Sequence, residues 1–116
     1  MSTISNLHID RLGEGTPGAP DPSRIIEGAP KFTSWALDNP AVTTGIWAAT
    51  PGHHRVIYDQ DENEAFYIIE GEIELHREGE AAPERFGPGA LVVIEAGFTG
   101  SWRTITPVRK VYFFPG

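Results

Sequence analysis

GHHRVIYDQDENEAFYIIEG, residues 52–71, is the stretch on which the reading of this chain turns. From His54 to Gln60 the residues alternate in character, placing Val56, Tyr58 and Gln60 on one face of a strand. Asp61-Glu62-Asn63 is a polar turn. Glu64 to Ile69 forms a second run, with Glu64, Phe66 and Ile68 on one face and Tyr67 and Ile69 on the other. Glu70-Gly71 then separates it from Glu72–His76, and the pair reads as a hairpin. The spacing within the stretch is regular. Five residues separate Gly52 from Tyr58, three separate Gln60 from Glu64, and six separate Glu64 from Gly71.

Outward from this stretch the same texture continues. Lys31–Leu37, Val42–Ala49, Glu84–Phe86, Ala90–Ile94, Ser101–Ile105 and Val108–Phe114 read as strands, with Gly45 a candidate bulge. Pro51-Gly52, Gly79, Gly87-Pro88-Gly89, Ala96-Gly97 and Thr106-Pro107 punctuate them. No window shows capped helical periodicity. Short strands without crossover helices predict an all-β antiparallel sandwich or barrel. Residues 1–28, with GEGTPGAPDP at 13–22, can bury little and read as an extended N-terminal arm; residues 29–116 form the folded domain.

A second spaced motif runs from Gly89: five residues to Glu95, Ala96-Gly97, two residues, then Gly100. With TGIW before the Pro51 turn, FYIIEGEIEL, GFTGSW and the terminal RKVYFF, it resembles the small single-domain cupins of the ureidoglycine-aminohydrolase-like, ethanolamine-utilisation-like group (cupin type 3). The resemblance implies a single RmlC-like jelly-roll barrel with one cavity between its sheets, commonly a homodimer. Metal-binding cupins carry His where Tyr58, Gln60 and Gly100 stand and Pro where Glu95 stands, so of this set only Glu64 is a usual metal ligand. The chain also has one barrel and lacks the His-rich set of the ureidoglycine-processing enzymes.

Five residues emerge as candidate ligand contacts: Tyr58, Gln60, Glu64, Trp102 and Lys110. Glu64 is the candidate catalytic group. A carboxylate among aromatics has its charged form disfavoured unless paired, which suits a general acid or base; alternatively it is structural, bonded to Tyr58, an Arg or Lys110. Tyr58 and Gln60 can bond a ligand or satisfy Glu64 internally. Trp102 walls the cavity, its indole N–H facing a ligand, or packs in the core. Lys110 holds Glu64 or an anion, or faces solvent. His53 and His54 point to opposite faces and read as turn or rim residues, and Trp35 and Trp47 as core or interface. Arg55 and Arg103 match surface acids. The run Glu62, Glu70, Glu72, Glu74, Glu78 and Glu80 reads as a solvated edge that discourages aggregation, since it matches no calcium loop.

Composition narrows the classes. A single domain of 116 residues can hold a core without staples, and the absence of Cys excludes disulfides, thiolate metal sites and a Cys nucleophile. A net charge of -7 disfavours nucleic acid and anionic membranes as partners. The N-terminus lacks the pattern of a signal peptide, so a cytoplasmic location is expected. No tightly bound metal or other cofactor is expected; a weakly held divalent metal on Glu64, Gln60 and water is the one the ligand set admits. Apolar Tyr67 and Ile69 on the face opposite Glu64, with the arm, predict a homodimer. Three functional readings stand: a metal-free cupin binding a small polar metabolite, an enzyme using Glu64 as general acid or base, and a non-catalytic accessory or assembly protein.

Overall fold

Alternating side chains build two antiparallel sheets that face one another. The structure, a computed structural model, describes residues 2–80 and 82–115; Met1 and Gly116, the outer limits of the expected arm and domain, lie outside it with Ala81. The strands are β1 (Thr16–Gly18), β2 (Ile25–Glu27), β3 (Phe32–Ala36), β4 (Thr43–Ala49), β5 (Gly52–Ile57), β6 (Glu64–Glu70), β7 (Ile73–Arg77), β8 (Glu84–Phe86), β9 (Leu91–Ile94), β10 (Thr99–Thr104) and β11 (Val108–Phe114). A short 3-10 turn, Pro22–Arg24, precedes β2, its Asp21 cap accepting from the Ser23 N–H. No helix among the described residues is long and apolar enough to cross a membrane.

One sheet has the order β1-β3-β4-β11-β6-β9, the other β2-β5-β10-β7-β8. This corrects the expected closed barrel. The sheets end in free edges, β1 and β9 on one and β2 and β8 on the other, and no strand pair joins them among the described residues. At the seam, β8 and β9 follow one another in the chain yet belong to different sheets, and a cavity of about 470 Å³ lined by Leu75, Val92, Ile94 and Phe98 lies beside these edges. The fold is a two-layer sandwich.

The expected hairpin at Gly71 is likewise a corner between the sheets. β6 pairs with β11 and β9, whereas β7 pairs with β10 and β8. Gly71 makes the corner with φ +89°, and a Cβ there would lie 2.2 Å from the Pro107 carbonyl oxygen, so only glycine fits. Gly45 forms no bulge; it pairs regularly with Ala36 and Tyr112. The shift instead falls beside β6, between Arg109 and Lys110 of β11.

The core lies between the layers and is built from every second residue: Phe66 and Ile68 of β6, Ile73 and Leu75 of β7, Val92 and Ile94 of β9, Trp102 of β10 and Val108 of β11. Each such side chain contributes roughly 1.5–3 kcal/mol by leaving water. The N-terminal segment lies over the outer face of the six-stranded sheet. There the Trp35 indole donates to the Gly13 carbonyl and Arg109 to that of Ile9.

Candidate functional site

The inner face of the six-stranded sheet is apolar except at one end. Alternation along β6 that turns Phe66 and Ile68 into the core turns Glu64 inward as well, and alternation along β11 places Lys110 inward after Val108. Both are almost fully buried, Glu64 being 3 % and Lys110 6 % exposed. The Lys110 ammonium donates to Glu64 Oε2 at 2.7 Å. Tyr58, just beyond the end of β5 in the other sheet, donates to Glu64 Oε1 at 2.5 Å. Both carboxylate oxygens are therefore engaged, one from each layer. Tyr58 is itself fixed by its N–H, which donates to the Phe98 carbonyl at 2.8 Å.

Three rings surround the ammonium. Nζ of Lys110 lies 4.8 Å from the Trp47 ring centre, 4.6 Å from Phe66 and 4.5 Å from Trp102, which are cation–π distances. Burial pulls the Lys110 ammonium below the ordinary lysine range, and the Glu64 carboxylate opposes it. Burial first, then the Glu64 charge, pushes the Tyr58 phenol far up, so it remains a donor. Tyr112 shifts up for the same two reasons.

A cavity of about 210 Å³ opens beside this pair, lined by Trp47, Tyr58, Glu64, Lys110, Tyr112 and Phe114. Of the five residues named from sequence, Tyr58, Glu64 and Lys110 line it. Trp102 reaches Lys110 from behind, 2 % exposed, and spends its indole N–H on Thr104 Oγ1 at 3.0 Å. Gln60 lies past the end of β5, in an exposed turn where its amide would touch a side chain added at Gly97. That turn is held by the Asp59 N–H on Glu62 and by Gly97 on the Asp59 carbonyl. Three cavity residues were missed, Trp47, Tyr112 and Phe114. Tyr112 carried a usable signal, since it shares a strand face with Lys110. The room for its ring comes from Gly45, where a Cβ would lie 2.8 Å from the Tyr112 hydroxyl.

A model of the EutQ-like cupin domain matches residues 38–112. The chain belongs to this family. Among solved structures, a protein of unknown function from Pseudomonas syringae pv. tomato str. DC3000 is 26% identical with a TM-score of 0.72, over 89% of this chain and 45% of that one. A DUF861 family protein from Thermotoga maritima is 33% identical with a TM-score of 0.53, over 58% of this chain and 73% of that one. The EutQ protein of Clostridium difficile shares the fold at 16% identity and a TM-score of 0.64, over 75% of this chain and 64% of that one. The chain thus spans less than half of the Pseudomonas protein's length. No curated protein matches it.

In this EutQ-like cupin, the positions at which metal-binding cupins carry ligands do not fit a tightly held ion. Glu64 spends both oxygens on Tyr58 and Lys110, and Gln60 lies outside the site. At Gly100, where metal-binding cupins carry His, a Cβ would lie 2.0 Å from the His76 carbonyl oxygen. No side chain fits there without a backbone shift. Among the described residues, no group of three or more His, Cys, Asp or Glu is placed to hold a metal.

The two neighbouring histidines of β5 correct the rim reading. His54 faces inward, packed at a tilt against Phe32 with ring centres 5.1 Å apart. His53 faces outward, bonded to Ser101 Oγ at 2.7 Å and packed at a tilt against His76.

Proposed function

We propose that the cavity beside Glu64 binds a small polar, uncharged metabolite, one bearing hydroxyl, carbonyl or amide groups. The observation that carries this reading is the buried Glu64–Lys110 pair with Tyr58, placed at the wall of an open cavity. A buried ion pair adds little to stability over well-packed apolar residues. Here it neutralises itself, so the cavity presents polar atoms without a net charge, and a neutral ligand suits it better than an ion. Trp47, Tyr112 and Phe114 supply apolar walls, and the phenol of Tyr112 supplies a further polar atom.

The test is a screen of sugars, polyols and small amides by thermal shift, followed by calorimetry. A true ligand at a hundredfold its Kd should stabilise the fold by about 2.7 kcal/mol. It should have no effect on the double variant Glu64→Gln, Lys110→Met. If none of these stabilises the protein, or the double variant responds equally, the reading fails.

A catalytic reading has one observation in its favour. Tyr58 donates to Glu64 across 2.5 Å at the cavity wall, which sets a carboxylate and a proton donor side by side where a general acid or base would act. Turnover of an identified ligand that disappears in Glu64→Gln, with binding kept, is its test.

We also propose that the protein acts as a homodimer through the outer face of the six-stranded sheet. Leu91 and Val93 of β9 are 74 % and 64 % exposed, with Tyr67 and Phe113 beside them. Register aligns Leu91 with Tyr67 and Val111, and Val93 with Ala65 and Phe113, as a continuous apolar surface.

A further inference from the structure

A second cavity, of about 270 Å³, lies on the far side of Tyr58, against β5 and under the turn at Pro20–Arg24. Its lining combines groups of both signs: the Arg24 guanidinium, the Asp21 and Glu62 carboxylates, and the imidazole of His54. Each is left with capacity that the protein does not use. Arg55, Arg77, Arg85, Arg103 and Arg109 all hold a carboxylate. Arg24 has none within ion-pairing distance among the described residues. Asp21 accepts the Ser23 N–H and hydroxyl on Oδ1, leaving Oδ2, and Glu62 accepts the Asp59 N–H on Oε1, leaving Oε2.

His54 is the decisive member. It is 7 % exposed, and its Nδ1 is buried without a hydrogen-bond partner. A buried polar atom left unpaired costs roughly 1–3 kcal/mol, and a turn of the ring that brings Nδ1 to the cavity and to a ligand's donor recovers it. A guanidinium, with its planar fork of donors, recognises a carboxylate. Two carboxylates, each with one oxygen unspent, recognise an ammonium. An imidazole nitrogen in one wall fixes the orientation of a ligand held at both ends.

We infer that this cavity is a binding site for a small zwitterion of the amino-acid class, its carboxylate on Arg24, its ammonium on Asp21 and Glu62, and a polar atom on His54. The site is separate from the cavity beside Glu64, sharing only the Tyr58 wall. Its ligand also differs in kind, because an uncharged metabolite would leave Arg24 unmatched.

The experiment is a titration of the full-length protein with glycine, alanine and serine, read by long-range proton–nitrogen spectra of the histidine rings and by calorimetry. Acetate and methylammonium serve as half-ligands. At least one amino acid should move the His54 nitrogen resonances saturably, and each half-ligand should bind at least tenfold more weakly. Arg24→Gln, at an exposed position, and Glu62→Gln should each weaken the amino acid about tenfold. Glu64→Gln, Lys110→Met should leave its binding unchanged, which separates failure here from failure of the first site. An unmoved His54 resonance, acetate binding as tightly as the amino acid, or an unaffected Arg24→Gln variant overturns the proposal.

Discussion

A lysine ammonium withdrawn from water keeps its charge only where something replaces the lost hydration. For Lys110 the replacement is one carboxylate oxygen and three aromatic faces. Removing either charge leaves the other stranded, so Lys110→Met and Glu64→Gln should each destabilise the fold by about 3–5 kcal/mol. The double variant should regain most of that loss, because no uncompensated charge remains. Urea denaturation of the three variants checks this, and a double variant as unstable as the sum of the singles would show that the pair does not act as a unit. These partners were legible in the chain because strand parity survives wherever the strand does: Glu64 with Phe66, Lys110 with Val108. The same rule does not place Gln60, which lies past Ile57, where β5 ends and the Asp59–Glu62 bond bends the backbone away. Trp47 gave no signal of its role, since a tryptophan that packs a core and one that encloses a cation look alike in sequence.

At the scale of the strand, β5 shows what alternation does to two adjacent histidines. One face of β5 looks into the core and the other outward, so His54 is buried with Phe32 while His53 meets Ser101 and His76. Burial, then the neighbouring His53, Lys110 and Arg24 charges, holds His54 down from 6.5 to about 4. Burial and His76 lower His53 in the same direction. Between about 4 and 6.5 the unfolded chain binds a proton at His54 that the folded chain does not. Stability therefore rises with pH through that window, and falls as acid takes the protein from the upper value to the lower. The loss should approach on the order of 3 kcal/mol. Urea denaturation at neutral pH and at about pH 4.5 measures it, and His54→Gln should flatten the dependence. An unchanged slope in that variant would place the titration elsewhere. The opposite orientations of the two rings followed from sequence; the depth of His54 did not, because it depends on Phe32 and the Pro20–Arg24 turn crossing over it from outside β5.

At the scale of the whole molecule, the in-and-out pattern that marks a strand is the same in a closed barrel and in a sandwich. Only the pairing of the edge strands differs, and that pairing lies between segments far apart in sequence. The turn at Gly87-Pro88-Gly89 carries the chain from the edge of one sheet to the edge of the other without pairing β8 to β9. The corner at Gly71 was hidden in the same way, since a glycine with positive φ serves a hairpin and a corner alike. An open sandwich has a consequence that a barrel lacks. Its larger sheet keeps an edge strand, β9, whose outward residues Leu91 and Val93 have no cover within the chain. The N-terminal segment shields the opposite end of that face, over Trp35 and Arg109, and Ile46 beneath is only 3 % exposed. What remains open is the end formed by β9, β6 and β11. A second copy placed on it would bury Leu91, Val93, Tyr67 and Phe113 against themselves about a two-fold axis. Leu91→Glu should then set like charges facing across the axis and shift the protein from dimer to monomer, with its circular dichroism unchanged, because that side chain makes no part of the core. Light scattering coupled to size exclusion reads the mass directly. A wild-type protein that elutes as a monomer, or a Leu91→Glu variant that remains a dimer, would remove this face as the interface.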